Sequence, residues 1–475
     1  MKYIHFYIAL FLANFVFSQQ KMVSFKQEDA KPKSAFSYIN ENNQLALFFS
    51  SKKYLSIVEF NDEFKVKDSL GVKINPKEVE SIIGTTCKNQ TYFVYWKTKK
   101  DNEIIVQSFD FKEKNVVSEM KSLLFEKEKI INKIAVNNKF YIITLTKVSN
   151  IINFYCFNGN ETIKKSIDCS GLKFIDSYNR YVSLWDLYLD NSNVVYSNMI
   201  ENILDETPAS LVNSTHKKKA YVRDNSLIFT FDTNEYFTQL IQFDLENYTV
   251  SQRMFPQPFI KEGQYDNIDS NSFLINDKLM QLKLDKTILY VVISDLNGLE
   301  IKKIVMRPDH DIEIKNSEII QEMGSIKSTR VLETSNQLIR KIDNMNPSIS
   351  CYFIDNKYYM TIGGVSFPRQ TTESFLGGMG GFVGSLISVA LTSNYSVNNL
   401  NSYTDKKIVY LNSIFDENFN HLKGANKNFA FDRLRIYYEE NQNYSAQTIF
   451  KLNGTLYLTG FDKKTQEYHF ISFSE

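Results

Sequence analysis

Short runs of alternating aromatic and aliphatic residues recur along this chain, and each is broken by a tight polar pair. They read "NENNQLALFF", "CKNQTYFVYW", "VNNKFYIITL", "RDNSLIFTF", "INDKLMQL", "IDNKYYMTI" and "KLNGTLYL". Asn, Asp and Gly suit the positive φ of a two-residue hairpin turn, and the alternation behind them suits half-buried strands. Anchored on the second turn residue, the seven copies fall at Asn43, Asn89, Asn138, Asn225, Asp277, Asn356 and Gly454. The uninterrupted steps, 43 to 89, 89 to 138 and 225 to 277, are 46, 49 and 52 residues long. Four strands with their turns fit such an interval.

A second marker keeps the same phase. Phe60, Phe109, Phe157 and Phe243 lie 17, 20, 19 and 18 residues after their anchors, each beside an acidic or amide residue, and Asp295 lies 18 after its own. The unit therefore reads strand A, turn, strand B, loop, strand C, turn, strand D. An isolated four-stranded sheet leaves two faces and two edges open, whereas radial stacking covers the faces and shortens the edges. The predicted fold is all-β, a β-propeller of about seven four-stranded blades. Phe473 comes 19 residues after Gly454, close to the last residue, so the seventh blade lacks its outer strand. "KMVSF", Lys21 to Phe25, is expected to supply that strand and close the ring.

Three intervals are too long, and their surplus falls at about 170–216, 307–347 and 363–404. The first two join a D strand to the next A strand, and the third joins B to C. In an up-and-down blade all three emerge at one end, the expected working surface. An eighth, degenerate blade around Tyr181 to Ile200 is the alternative for the first surplus.

The third surplus contains "GGMGGFVGSLISVALTSNY" within an uncharged run from Ser374 to Thr404. Gly377, Gly381 and Ser385 would share one helical ridge, which permits close helix contact. The apolar core from Phe375 to Leu391 is short for a spanning helix, and a hairpin loop must return its ends. The segment either plugs the ring, burying Phe375, Met379, Phe382, Leu386 and Ile387, or offers them with Tyr395 to a partner protein or a membrane surface. Trp185, in "VSLWDLYLD", is a further candidate binding platform on the same end.

Other chemistry is sparse. In "RPDHDIEIKNSE", strand-like alternation would put Asp309, Asp311 and Glu313 on one side, suitable for a hard cation such as calcium, although the glycine-turned loop of calcium sites is missing. The same three would be the acids of a glycan- or peptide-degrading hydrolase with an axial pocket, the alternative to a non-catalytic scaffold. No G-x-S-x-G, H-E-x-x-H or C-x-x-C occurs. A net charge of +1 argues against a nucleic-acid partner. Cys87, Cys156, Cys169 and Cys351 are few and far apart, and leave free thiols and bridges equally open.

At the amino terminus, Lys2 precedes an apolar stretch from Tyr3 to Phe17, with Val16 and Ser18 where a signal peptidase reads. Residues 1–18 are therefore expected to be a cleaved export signal, and 19–475 a single propeller in the periplasm or at the cell surface, not an integral membrane protein. The leader ending "VFSQQ", with a composition rich in Lys, Asn and Ile, resembles exported proteins of Bacteroidetes-type bacteria. In architecture the chain resembles secreted β-propeller proteins, and a fold alone does not transfer an activity. The expectation is a scaffold that binds a protein or another cell-envelope macromolecule through the insertion-bearing end, without a cofactor.

Overall fold

The computed structural model describes residues 19–26, 32, 34–100, 102–123, 125–190, 200–204, 207–260, 268–324, 328–367, 400, 403 and 406–475. The leader, 1–18, and Phe375, Met379, Phe382, Leu386, Ile387 and Tyr395 lie outside them. Among the described residues, seven sheets of four or five strands follow one another, built on 34–73, 79–122, 128–168, 218–256, 269–306, 346–415 and 444–473. These are the blades of a β-propeller.

The local chemistry that sets the repeat is visible at both ends of each blade. Six A–B turns hold two residues between paired strands, closing Lys88 on Thr91, Val136 on Lys139, Arg223 on Ser226, Ile275 on Lys278, Ile354 on Lys357 and Leu452 on Thr455. Asn137 and Asn138 sit at φ 49° and 55°, Asp355 and Asn356 at 53° and 57°, Asn453 and Gly454 at 50° and 78°. In these three turns both central residues are left-handed, as strand twist favours in a two-residue hairpin, whereas at Asp224–Asn225 and Asn276–Asp277 only the first is. Two anchors need correction: Asn89 is the first residue of its turn, with Gln90 second, and Asn43 belongs to a longer loop between Ile39 and Leu45.

The aromatic and acidic pair has a separate cause. Phe60, Phe109, Phe157, Phe243, Phe415 and Phe473 end the C strands and are fully buried. Where the residue after the aromatic is Asn61, Asp110, Asp244 or Asp416, its side chain folds back to accept backbone N–H bonds of the following turn, as from Glu63 and Lys65 on Asn61, or Asn418 and Asn420 on Asp416. Asp295, at the end of its own C strand, does the same for Asn297 and Leu299. The Asn247 and Asn420 side-chain amides, followed by those backbone bonds, hold the Asp244 and Asp416 carboxyls below the usual carboxylate range, and the Leu299 N–H leads the same effect at Asp295.

Adjacent sheets meet through aromatic rings. Phe48 lies edge-on to Tyr92 between blades one and two, Tyr95 stacks on Phe140 between two and three, and Phe154 meets Phe243 between three and four. Tyr221 and Phe273 join four to five, and Met280, Ile349, Met360 and Val409 share the core between five and six. Phe49 and Phe60 reach Tyr468 and Phe470, so the last blade packs on the first. Each such ring pair adds about 0.5–1.5 kcal/mol beyond the area it buries.

Gln19–Lys26 pairs antiparallel with Glu467–Phe473 of blade seven, with Phe25 opposite Tyr468. The segment from Tyr181 to Ile200, considered above as an eighth blade, instead begins with the second strand of a two-stranded hairpin and a short helix, α1 (Leu184–Leu189). Blade six also departs from the expected order. Its C strand, Lys407–Phe415, is not followed by a D strand; Ile319–Met323, from the preceding connection, takes that place and carries Thr329–Leu332 outside it.

Removing residues 19–26 should leave the outer edge of Glu467–Phe473 unpaired, lowering Tm by several degrees and promoting self-association. Differential scanning calorimetry with light scattering checks this; an unchanged Tm with a monodisperse product would contradict the pairing.

Candidate functional site

The A–B turns gather at one end of the ring and hold one another there. Asn43 donates to Asn453, Asn137 to Asn225, Asn138 to Glu41, and Tyr38 Oη donates to Asn138 Oδ1 at 2.8 Å. B–C loops and D–A connections leave from the opposite end, where the surplus segments begin and end.

The first surplus is fastened there by side-chain amides that imitate strand pairing. Gln239 gives and receives bonds with the Ile175 backbone at 2.7 and 2.9 Å, Gln252 does the same with Lys173, and Asn234 donates to Asp176 O at 2.8 Å. The hairpin Phe174–Ile175/Tyr181–Val182 is thereby fixed to blade four, and its tip is tightened by Asp176, which accepts from the N–H groups of Tyr178 and Arg180 and from Arg180 Nε. Tyr178 and Tyr181 stand 76% and 74% exposed. Asn234 Oδ1 also accepts the Tyr236 N–H, and Tyr236 O accepts the Gln257 N–H, which ties to the same end of blade four the loop and connection that carry Tyr236 and the 79% exposed Phe259. Trp185 sits on α1, whose first turn is held by Asn150 and Ser149 of a B–C loop; it is half-buried against the blade three and four core, near Tyr188. It is partly a packing residue.

The second surplus puts Asp309, Asp311 and Glu313 on the surface, all exposed, with Asp309 taken up by His310 Nδ1 at 2.9 Å. Among the described residues, no three His, Cys, Asp or Glu side chains gather as a metal ion requires. A helix, α2 (Leu211–Ser214), ends the first surplus, and another, α3 (Ser335–Asp343), ends the second. Behind α3, a Cβ on Gly364 would lie 3.2 Å from the Ile342 backbone, so the helix packs closely on the strand there.

Blade six differs from the other blades in its two faces. Toward blade five it shows Ile349, Cys351, Met360, Ile362, Val409 and Leu411, whereas the opposite face carries Ser350, Tyr352, Tyr359, Thr361, Tyr410, Asn412 and Glu322. Among the described residues, no sheet lies directly on that second face. A fourth long connection, 416–443, supplies a helix, α4 (Ala430–Glu440), whose Phe431 and Leu434 pack on Leu456, Leu458 and Phe473 of blade seven. Just before it, Phe429 meets Tyr352 and Tyr359 edge-on. Between blade six and α4 lies a partly open cavity of ≈ 130 Å³, to which Pro208 and Leu211 of the first surplus, Glu322 of the second and Tyr403 of the third also contribute.

A buried ion pair governs the cavity wall. Arg435 Nη2 donates to Glu322 Oε2 at 2.8 Å, Tyr410 Oη donates to Glu322 Oε1 at 2.9 Å, and the guanidinium lies 3.8 Å over the Tyr403 ring. Burial opposes the guanidinium charge, but Tyr403 and Glu322 more than offset it and raise its pKa. Burial lifts Tyr403 to about 12. Asp432, at the third position of α4, accepts the Phe429 N–H at 3.0 Å; burial nevertheless pushes its carboxyl up to about 6, against the pull of that N–H and Arg435. The cysteines are all free and buried, and burial lifts each thiol, so none has thiolate character.

Sequence reasoning missed Glu322, Tyr403, Tyr410, Asp432 and Arg435. Asn412 and Tyr410 could have been found in "KKIVYLNSIF", where polar and aromatic residues occupy alternate positions; nothing in "DRLRIYYEE" marks Arg435 as buried.

No protein-family model matches this sequence, and no curated protein does. Among solved structures, the chain is similar to the WD40 domain of SCAP from fission yeast, at 10% identity, with 96% of this chain and 97% of that one covered and a TM-score of 0.29. It is also similar to the SapL1 lectin in complex with alpha methyl fucoside, at 9% identity, 72% and 94% coverage and a TM-score of 0.23. A protein from Lactobacillus plantarum is similar at 6% identity, 71% and 82% coverage and a TM-score of 0.27. Overlaps of this size decide nothing about function, and the propeller architecture stands on the strand pairing. No helix among the described residues is long and apolar enough to cross a membrane.

Because Asp432 is lifted from 3.8 to about 6, the folded chain keeps a proton that the unfolded chain releases between those values. Its contribution to stability is fully present below 3.8 and is lost as pH rises through about 6. Asp432→Asn keeps an acceptor for the Phe429 N–H and has no such dependence. The variant should gain on the wild type in Tm as pH rises from about 4 to 8; parallel Tm curves would contradict a raised Asp432.

Proposed function

We propose that this chain is an exported, non-catalytic scaffold that binds a protein or another cell-envelope macromolecule through the insertion-bearing end of the propeller. The observation that carries this reading is that four exposed rings, Tyr178, Tyr181, Tyr236 and Phe259, lie on segments of that end whose backbone is fastened to blade four by hydrogen bonds. Rings fixed before contact lose little entropy on binding, and aromatic anchors carry much of the energy of interfaces. The opposite end presents turns that bond to one another, and the outer D strands, such as Asn115–Ser122, are charged and exposed as edges that resist pairing. Export rests on the apolar leader. The reading assigns no metal, cofactor or covalent step.

Affinity capture from the envelope of the native host, after crosslinking, tests it. Tyr178→Ala with Phe259→Ala should reduce capture of the same partner at least about tenfold, the loss of one or two interface anchors, at unchanged Tm. Lys112→Ala with Lys114→Ala, at the other end, should leave capture intact; the reverse pattern would overturn the assignment.

A further inference from the structure

We propose that the cavity between blade six and α4 is a binding site for a single hydroxylated six-membered ring, one sugar unit of a glycan. The inference rests on the binding-scaffold reading and names the ligand class of a second locus on the same molecule.

Size sets the first limit. The cavity measures ≈ 130 Å³, less than engineered cavities of about 150 Å³ that enclose one benzene ring, so a larger hydroxylated ring would seat one edge in it and leave the rest in the open mouth. A cavity of that kind accepts an apolar ring only when its walls are apolar, and these are not. Asn412 Oδ1 accepts from Thr361 Oγ1 at 2.8 Å, which fixes the amide and leaves its Nδ2 donors over. The side chains of Asn426 and Ser350 and the Tyr359 hydroxyl make no hydrogen bond among the described residues, although all three line the cavity. Asp432 spends one oxygen on the Phe429 N–H. A benzene-like guest would strand these groups, at about 1–3 kcal/mol for each one left unpaired.

Charge excludes the next class. Glu322 and Arg435 neutralise each other in direct contact, and both terminal guanidinium nitrogens face Glu322, so no cation is left to receive an anionic guest. What remains is a mixture of donors and acceptors with the Asp432 carboxyl among them, and with the flat rings of Tyr352, Tyr359 and Tyr403 on the walls. Hydroxyl groups both donate and accept, and can satisfy amides, a phenol and a carboxyl in one pocket. A pyranose carries such hydroxyls around its edge and a face of C–H bonds that suits the negative face of a tyrosine ring.

Saturation-transfer NMR on the full mature chain is the test, with the methyl glycosides of glucose, galactose, mannose and N-acetylglucosamine as probes and cyclohexanol as the ring without a full set of hydroxyls. At least one glycoside should receive saturation and titrate to a Kd, and cyclohexanol should not. Asp432→Asn and Tyr359→Phe, which keep the helix cap and the ring, should each weaken that Kd about fivefold or more while far-UV dichroism stays unchanged. Silence from every glycoside would mean a water-filled cavity and overturn the proposal, as would binding untouched by both variants. If glycosides fail while envelope capture still depends on Tyr178 and Phe259, the ligand class falls and the scaffold reading stands. If capture fails while a glycoside binds, the reverse holds.

Discussion

A four-stranded sheet has two faces, and in this molecule each must be covered by something other than water. Blade after blade meets that constraint with rings: Tyr92 under Phe48, Phe140 on Tyr95, Phe243 on Phe154, Phe470 on Phe60. Radial stacking is the arrangement that satisfies every sheet with a copy of itself. It also separates the two ends of the ring, so that short turns share one end and the three surplus segments leave from the other.

Blade six is where self-covering stops. Its face toward blade seven carries Ser350, Tyr359, Thr361, Tyr410, Asn412 and Glu322, which no apolar sheet could bury without stranding them. The chain covers that face with α4 instead, and Arg435 brings a positive charge to Glu322. A buried pair of this kind adds little net stability, yet removing one partner is costly, at about 3–5 kcal/mol, because the other charge is left uncompensated. Polar cover cannot interdigitate as rings do, and the cavity is what remains between them. The departure from apolar packing and the meeting of four long connections therefore have one origin.

The repeat was legible because its signals are local. A pair of left-handed residues cannot be hidden in "DNKYY" or "LNGTL", and an aromatic followed by a turn-capping carboxylate recurs for a reason the structure makes explicit. The one-residue offset at Asn89 arose because Asn and Gln both take positive φ there. What was not legible is non-local. Ile319–Met323 looks like any strand in a connection, and only the empty outer edge of blade six, over 80 residues away in sequence, gives it a place. Arg435 reads as one of several charges on an exposed helix, because burial depends on which sheet the helix meets. Asp309, Asp311 and Glu313 were singled out by spacing alone, and spacing says nothing about the Ile312 side chain that alone turns inward.

If a common axis sorts these segments to one end, contact with a partner must be sorted too. Photo-crosslinking in the native host, with benzoylphenylalanine placed singly along the ring, measures that directly. Adducts from positions 178, 236 and 259, and none from 90, 114 and 297 in the short turns, are the predicted result. Adducts from the short-turn positions, with silence from the others, would contradict the account.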